Sequence, residues 1–266
     1  MTTQNYKEYE DGLDSIILLF EALQKECEAK GYPIESITPI QKVIGKIMMK
    51  IYKSSLAVRI LCKQRFTEDC QPILRNLLEL TIICRWLTLD NDLIKLRQLE
   101  KKMSTLAHKR LVQFKLLLEE KQKSDPDEET KNTLEVVIKD LRKFRPISDV
   151  PNCPELYEMA SSIDASEKEY CNNMRKLHTA AYWILTQSVH FSFYSLENFY
   201  REEENFAGFV ALPNFDMIPD IILHMGHISL MFLEIFNKTF KLGLDKRINE
   251  ESERFIQLTI KHNESS

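Results

Sequence analysis

Arg75 and Glu79 stand four residues apart in the run CQPILRNLLELTIICRWL, which is otherwise almost wholly apolar. At that spacing they share one face of a helix. Neither side chain is commonly buried unless it is paired, so the two read as a polar insertion into a core helix. An arginine so placed can hold a phosphate or carboxylate; the structural alternative is a stabilising intrahelical pair. A second row, His178, Tyr182, Thr186 and His190, repeats every four residues, with Glu197 seven further on. A third comprises Asp216, Asp220, His224, His227 and Glu234, set among Ile, Leu, Met and Phe. If the three rows converge, they make a charge-balanced pocket of the kind in which perturbed pKa values and function coincide.

Each row also has a plainer reading. His178 fits a hydrogen-bonded boundary residue, and His190 stays open between function and structure. Asp220, His224 and His227 are weak metal candidates, because i, i+3 and i, i+4 pairs can face one ion. They lack the repeated Glu-x-x-His motifs of di-iron bundles, so no metal and no cofactor is expected. The alternative for that row is the solvent or dimer face of a very apolar helix.

The elements that must carry these residues are helices. Leu, Ile, Glu and Lys dominate, glycine is scarce, and strand signals are essentially absent. Apolar spacing and caps predict helices over 5–29, from Pro39 to about Lys63, and from Asp69 through the Arg75 run. Thr38-Pro39-Ile40-Gln41 has the form of a capping box with proline at the first helical position. A charged helix over 92–122, with Leu93, Leu96, Leu99, Met103, Leu106 and Leu111 inward, and another to about Lys143 make a protruding helical hairpin over 92–144. A proline-bearing connection holds one short helix near 154–161. A helix over 165–200, a mobile loop over 201–214, a very apolar helix over 215–242 and an amphipathic one over 245–261 complete the chain. The expectation is an all-α bundle of seven to nine helices in a single domain, 1–266, with the hairpin as an appendage. Ile221, Met225, Ile228, Met231, Phe232 and Ile235 form the preferred dimer seam.

A net charge of −4 argues against a strong general binder of nucleic acid or anionic membrane. The basic clusters Lys101-Lys102, Lys109-Arg110 and Arg142-Lys143-Arg145 are interleaved with acids and read as a solvated face, with a phosphate-tracking arm as the other option. Cys27, Cys62, Cys70, Cys84, Cys153 and Cys171 show no CxxC spacing and read as reduced, mostly buried thiols. The polar, acidic N-terminal stretch is not a signal peptide, and no apolar run approaches the ~20 residues that span a bilayer. The expected location is cytoplasmic, with no membrane partner.

The stretch LAVRILCKQRFTEDCQPILRNLLELTIICRWL resembles the opening motif of a bacterial helical family of unknown function, in which a small loop leads into Leu-Arg-x-Leu-x-Glu. Here that motif reads Leu74-Arg75-Asn76-Leu77-Leu78-Glu79. The family's later motif, a Tyr followed by Leu-Ser and a His, is similar to Tyr182 to His190, with Thr186 where a Ser is expected. The resemblance covers roughly 45–195. Such families are similar to HEPN bundles and abortive-infection proteins, many of which act in phage defence or toxin–antitoxin systems. HEPN ribonucleases use Arg-x(4–6)-His at a dimer interface; the nearest approach here, Arg175-Lys176-Leu177-His178, is shorter.

The resemblance implies a HEPN-like core and a defence or stress effector that binds or cleaves RNA or a nucleotide through Arg75, Glu79, Tyr182 and His190. Were it an enzyme, it would be a metal-independent ribonuclease with His190 as general acid/base and Arg75 on the scissile phosphate. A homodimer and a partner protein of a defence system are implied with it. The alternative is a non-catalytic homodimeric adaptor or sensor in which the same residues form a structural network. Whether the chain is an enzyme stays open at this point.

Overall fold

The computed structural model describes residues 6–90, 92–143, 147–166, 174–187, 200–203, 206–209 and 217–265. Among them are nine α-helices: α1 (Tyr6–Lys30), α2 (Pro39–Gln64), α3 (Cys70–Thr88), α4 (Leu93–Ser124), α5 (Glu128–Lys143), α6 (Leu156–Ser166), α7 (Met174–Gln187), α8 (Ile218–Phe240) and α9 (Asp245–Ser265). The protein is an all-α multi-helix bundle. Its helices fall into two compact units, one made of residues 1–90 with 156–266, the other of 91–155.

The first unit is built on α8, which packs against α1, α2, α3 and α9. Its apolar side chains explain why: Ile222, Met225, Phe232 and Leu233 are fully buried, as are Leu13, Ile16 and Phe20 of α1 and Leu74, Leu77 and Leu78 of α3. Burial of such surface is the main stabilising term in a helical bundle. Most of the seam expected to pair two copies is internal: Ile221, Met225, Ile228, Phe232 and Ile235 lie in this core, while Met231 is half-buried. By length and composition α8 could cross a membrane, with a mean hydropathy of 1.3 over its best window, a longer apolar run than the sequence suggested. Of that window, 72% is buried inside the bundle.

The local signals act largely as their chemistry dictates. The capping box forms: the Gln41 amide donates to Thr38 Oγ1 at 3.2 Å, and the Thr38 amide donates to Gln41 Oε1 at 2.9 Å. Arg65 ends α2 in the left-handed region at φ 67°. Asp69 occupies the cap position of α3 but makes no side-chain capping bond, because its own backbone is helical. The helix expected over 165–200 does not start at 165. Helix α6 runs on to Ser166, and α7 is a separate helix whose first amides, Met174 and Arg175, donate to the two carboxylate oxygens of Asp164 at 3.0 Å each. Within the stretch read as a loop, Tyr200–Glu203 (β1) pairs antiparallel with Phe206–Phe209 (β2). Its acidic start hid any alternating apolar pattern.

In the second unit α4 and α5 pack together as a hairpin, with Asp92 capping α4 through the Ile94 amide at 2.8 Å and Asp127 capping α5 through the Thr130 amide at 2.6 Å. The segment 147–155 returns along α4: Arg97 pairs with Asp149 at 2.5 Å, Lys102 pairs with Glu155 at 3.0 Å, and Lys101 donates to the Val150 carbonyl. The basic cluster at 101–102 is thus spent on internal contacts. Of the α4 residues expected inward, Leu96 is buried, whereas Leu93, Met103 and Leu106 are exposed. The inward face of α4 is set by α5 and by 147–155, which cover only part of the apolar stripe.

Candidate functional site

Helix α3 brings the first pair to the surface of its own core. Leu74, Leu77, Leu78 and Ile82 anchor one side, which turns Arg75 and Glu79 toward a half-buried edge. There Arg75 Nε donates to Glu79 Oε1 at 3.1 Å, with side chains 19% and 28% exposed. Both groups therefore remain within reach of solvent, and the pair is neither a sealed core link nor a fully solvated one.

Helix α7 packs on α3 and α6. It brings His178 into the electrostatic range of Glu79, whose charge raises the imidazole's proton affinity, while burial, the larger effect, lowers it. The net result is a pKa below the usual 6.5. A ring so tuned is largely neutral near pH 7 and can accept a proton. From α6, the exposed Tyr157 ring meets the His178 ring edge-on, with centroids 6.1 Å apart. Two helices thus bring the Arg75–Glu79 pair within electrostatic range of His178, and a third adds an accessible aromatic face.

Of the residues named from the sequence, Arg75 and Glu79 share this site. Tyr182 lies on α7 one helical turn beyond His178, with its side chain outside the described residues. His190 lies outside the described residues altogether, as do Glu197 and Asp216. His178, read as a boundary residue, is half-buried and lies within electrostatic range of Glu79. Tyr157 had no signal beyond its place two residues before the buried Met159 and Ala160.

The row on α8 disperses. His224 Nδ1 lies 2.7 Å from the Asp220 carbonyl, which only accepts, so that nitrogen carries the proton. Thr259 donates its hydroxyl to the Phe255 carbonyl, so His227 Nε2 donates to Thr259 Oγ1 at 2.9 Å. Asp220 Oδ1 pairs instead with His262 Nε2 of α9 at 3.1 Å, a contact across 42 positions that no local spacing encodes. Burial first, and then His224, lowers the pKa of His227. Among the described residues no three His, Cys, Asp or Glu side chains are placed to hold a metal. The suggestion that Asp220, His224 and His227 share an ion is therefore corrected: each is turned to a different hydrogen-bond partner.

Residues 41–207 match the model of a family described as of unknown function, DUF5677. That span runs from α2 to β2 and includes Arg75, Glu79, Tyr157 and His178. No curated protein and no solved structure significantly matches the chain.

Proposed function

Because the chain belongs to the DUF5677 family, whose function is unknown, we propose its role from its own site: a cytoplasmic bacterial defence or stress effector that binds RNA or a nucleotide at the Arg75–Glu79–His178 cluster. The observation that supports this reading is the half-exposed Arg75–Glu79 pair within electrostatic range of His178, with the Tyr157 ring against that histidine. Arginine suits a phosphate, and an exposed aromatic ring suits a base. The likeness of such helical families to HEPN and abortive-infection proteins, rather than a HEPN motif in this chain, is the ground for the defence setting and the homodimer. Glu79 already neutralises much of Arg75, which favours binding over cleavage. Were the phosphodiester cut, His178 would take the role of base, and Arg75 would have to leave Glu79 to stabilise the phosphate.

Fluorescence polarisation with a labelled single-stranded RNA and with nucleoside monophosphates tests the reading. Arg75→Ala and Tyr157→Ala are expected to weaken binding by at least about tenfold, each contact contributing on the order of 1–3 kcal/mol. Absence of binding by the native chain, or native affinity in both variants, would leave the structural-network reading standing. Growth arrest on expression that is lost in His178→Ala would add cleavage to binding.

A further inference from the structure

A second opening in the first unit is lined by none of the Arg75, Glu79, Tyr157 or His178 side chains. It is a cleft of about 710 Å³ between α3, α6, α7, α8 and α9. Its walls are aliphatic: Leu177, Leu230, Met231, Ile235, Ile248 and Ile256 line it. Such a volume falls within the range that holds a small molecule. Methionine walls adapt to varied apolar shapes.

Two acids reach the cleft, and both are already engaged. The Asp164 carboxylate accepts from the first two amides of α7, and Glu234 pairs with Lys238 at 2.5 Å. His227 is committed to Thr259, and burial, which lowers its pKa, disfavours its charged form. The cations are Arg85 and the exposed Lys176, and Lys176 makes no ion pair among the described residues. An apolar trough with satisfied acids and a cation at its wall complements a ligand with a carbon body and one negative end.

We propose that this cleft binds a medium-chain fatty carboxylate, its acyl chain lying along the α8 and α9 side chains and its carboxylate reaching Lys176. The apolar chain accounts for the lining, and the head group accounts for the charge. The site is separate from the RNA-binding reading and stands or falls without it.

Isothermal titration of the full chain with dodecanoate, and with dodecanol as the uncharged match, tests the proposal. Dodecanoate is expected to bind at least tenfold more tightly than dodecanol. Lys176→Glu should weaken dodecanoate at least tenfold and leave dodecanol unchanged. Ile256→Trp, at a position 50% exposed and so tolerant of a larger ring, should block both. Melting curves like that of the native chain establish that both variants fold. No binding of dodecanoate to the native chain, equal binding of the alcohol, or native affinity in either variant overturns the proposal.

Discussion

His178 of α7 lies within electrostatic range of Glu79 of α3, whose negative charge opposes the burial that lowers the imidazole's pKa. The same carboxylate holds Arg75 at 3.1 Å. Glu79 is therefore the hinge of the site's electrostatics. Replacing it with Gln keeps the shape and removes the charge, so the pKa of His178 should fall below its native value. An NMR titration of the His178 ring protons reads this directly. A rise, or no change, would mean that the two side chains lie outside electrostatic range of each other.

The two histidines lowered by burial give stability a direction with pH. A base whose folded pKa lies under its usual 6.5 binds fewer protons folded than unfolded in the interval between the two values. Stability therefore rises with pH through that interval, and it is lost as pH falls below about 6.5 toward the folded pKa values. The Tm should drop on acidification over this range, beyond what the carboxylates contribute at lower pH. His178→Gln and His227→Gln should each flatten the slope. His227→Gln keeps a donor for Thr259 and so separates titration from the loss of a hydrogen bond.

The helices were legible because their signals are local. The capping box at Thr38, the apolar spacing of α1 and α8, and the i, i+4 pair of Arg75 and Glu79 need only neighbours in sequence. What was illegible depends on distant partners. Asp164-Ala165-Ser166-Glu167 has the form of a helix cap, but nothing near it announces that the amides Asp164 receives lie ten residues on, and nothing near Asp220 announces His262. The α8 row looked like a site because buried apolar helices tolerate few polar residues; each instead found its own partner. Met103 and Leu106 looked inward because a stripe does not say how far its cover extends.

The thiols should divide by depth. Contact with Cys62, and then burial, raises the pKa of Cys70, while burial alone raises that of Cys84. The thiolate is the reactive form, so both are protected twice, by access and by protonation. Cys62 is as deeply buried. Cys27 and Cys153 are only partly covered, although burial raises them too. With iodoacetamide at mildly alkaline pH, Cys27 and Cys153 should label first among the described cysteines of the native protein, and Cys62, Cys70 and Cys84 only in denaturant; Cys171 lies outside the described residues. Peptide mass spectrometry resolves the order, and early labelling of Cys84 would contradict the packing of α3.

Two helical glycines should respond in opposite ways to alanine. At Gly226 of α8 a Cβ would lie 1.9 Å from Phe255 Cε1, and that ring is fully buried, also meeting the space over Gly12 of α1. The side chain has no room to yield, so α9 must move away from α8. Overpacking of this kind costs about 1–3 kcal/mol, which exceeds the gain in helix propensity of at most about 1 kcal/mol. At Gly45 of α2 a Cβ would meet only Phe240 Cζ, at 4.0 Å, an ordinary contact. There the propensity gain stands alone, about 0.5–1 kcal/mol. Thermal melts should therefore show Gly226→Ala lowered and Gly45→Ala raised, by roughly 2–4 °C per kcal/mol. Equal shifts of the same sign would show that Phe255 does not hold α8 and α9 at the separation seen.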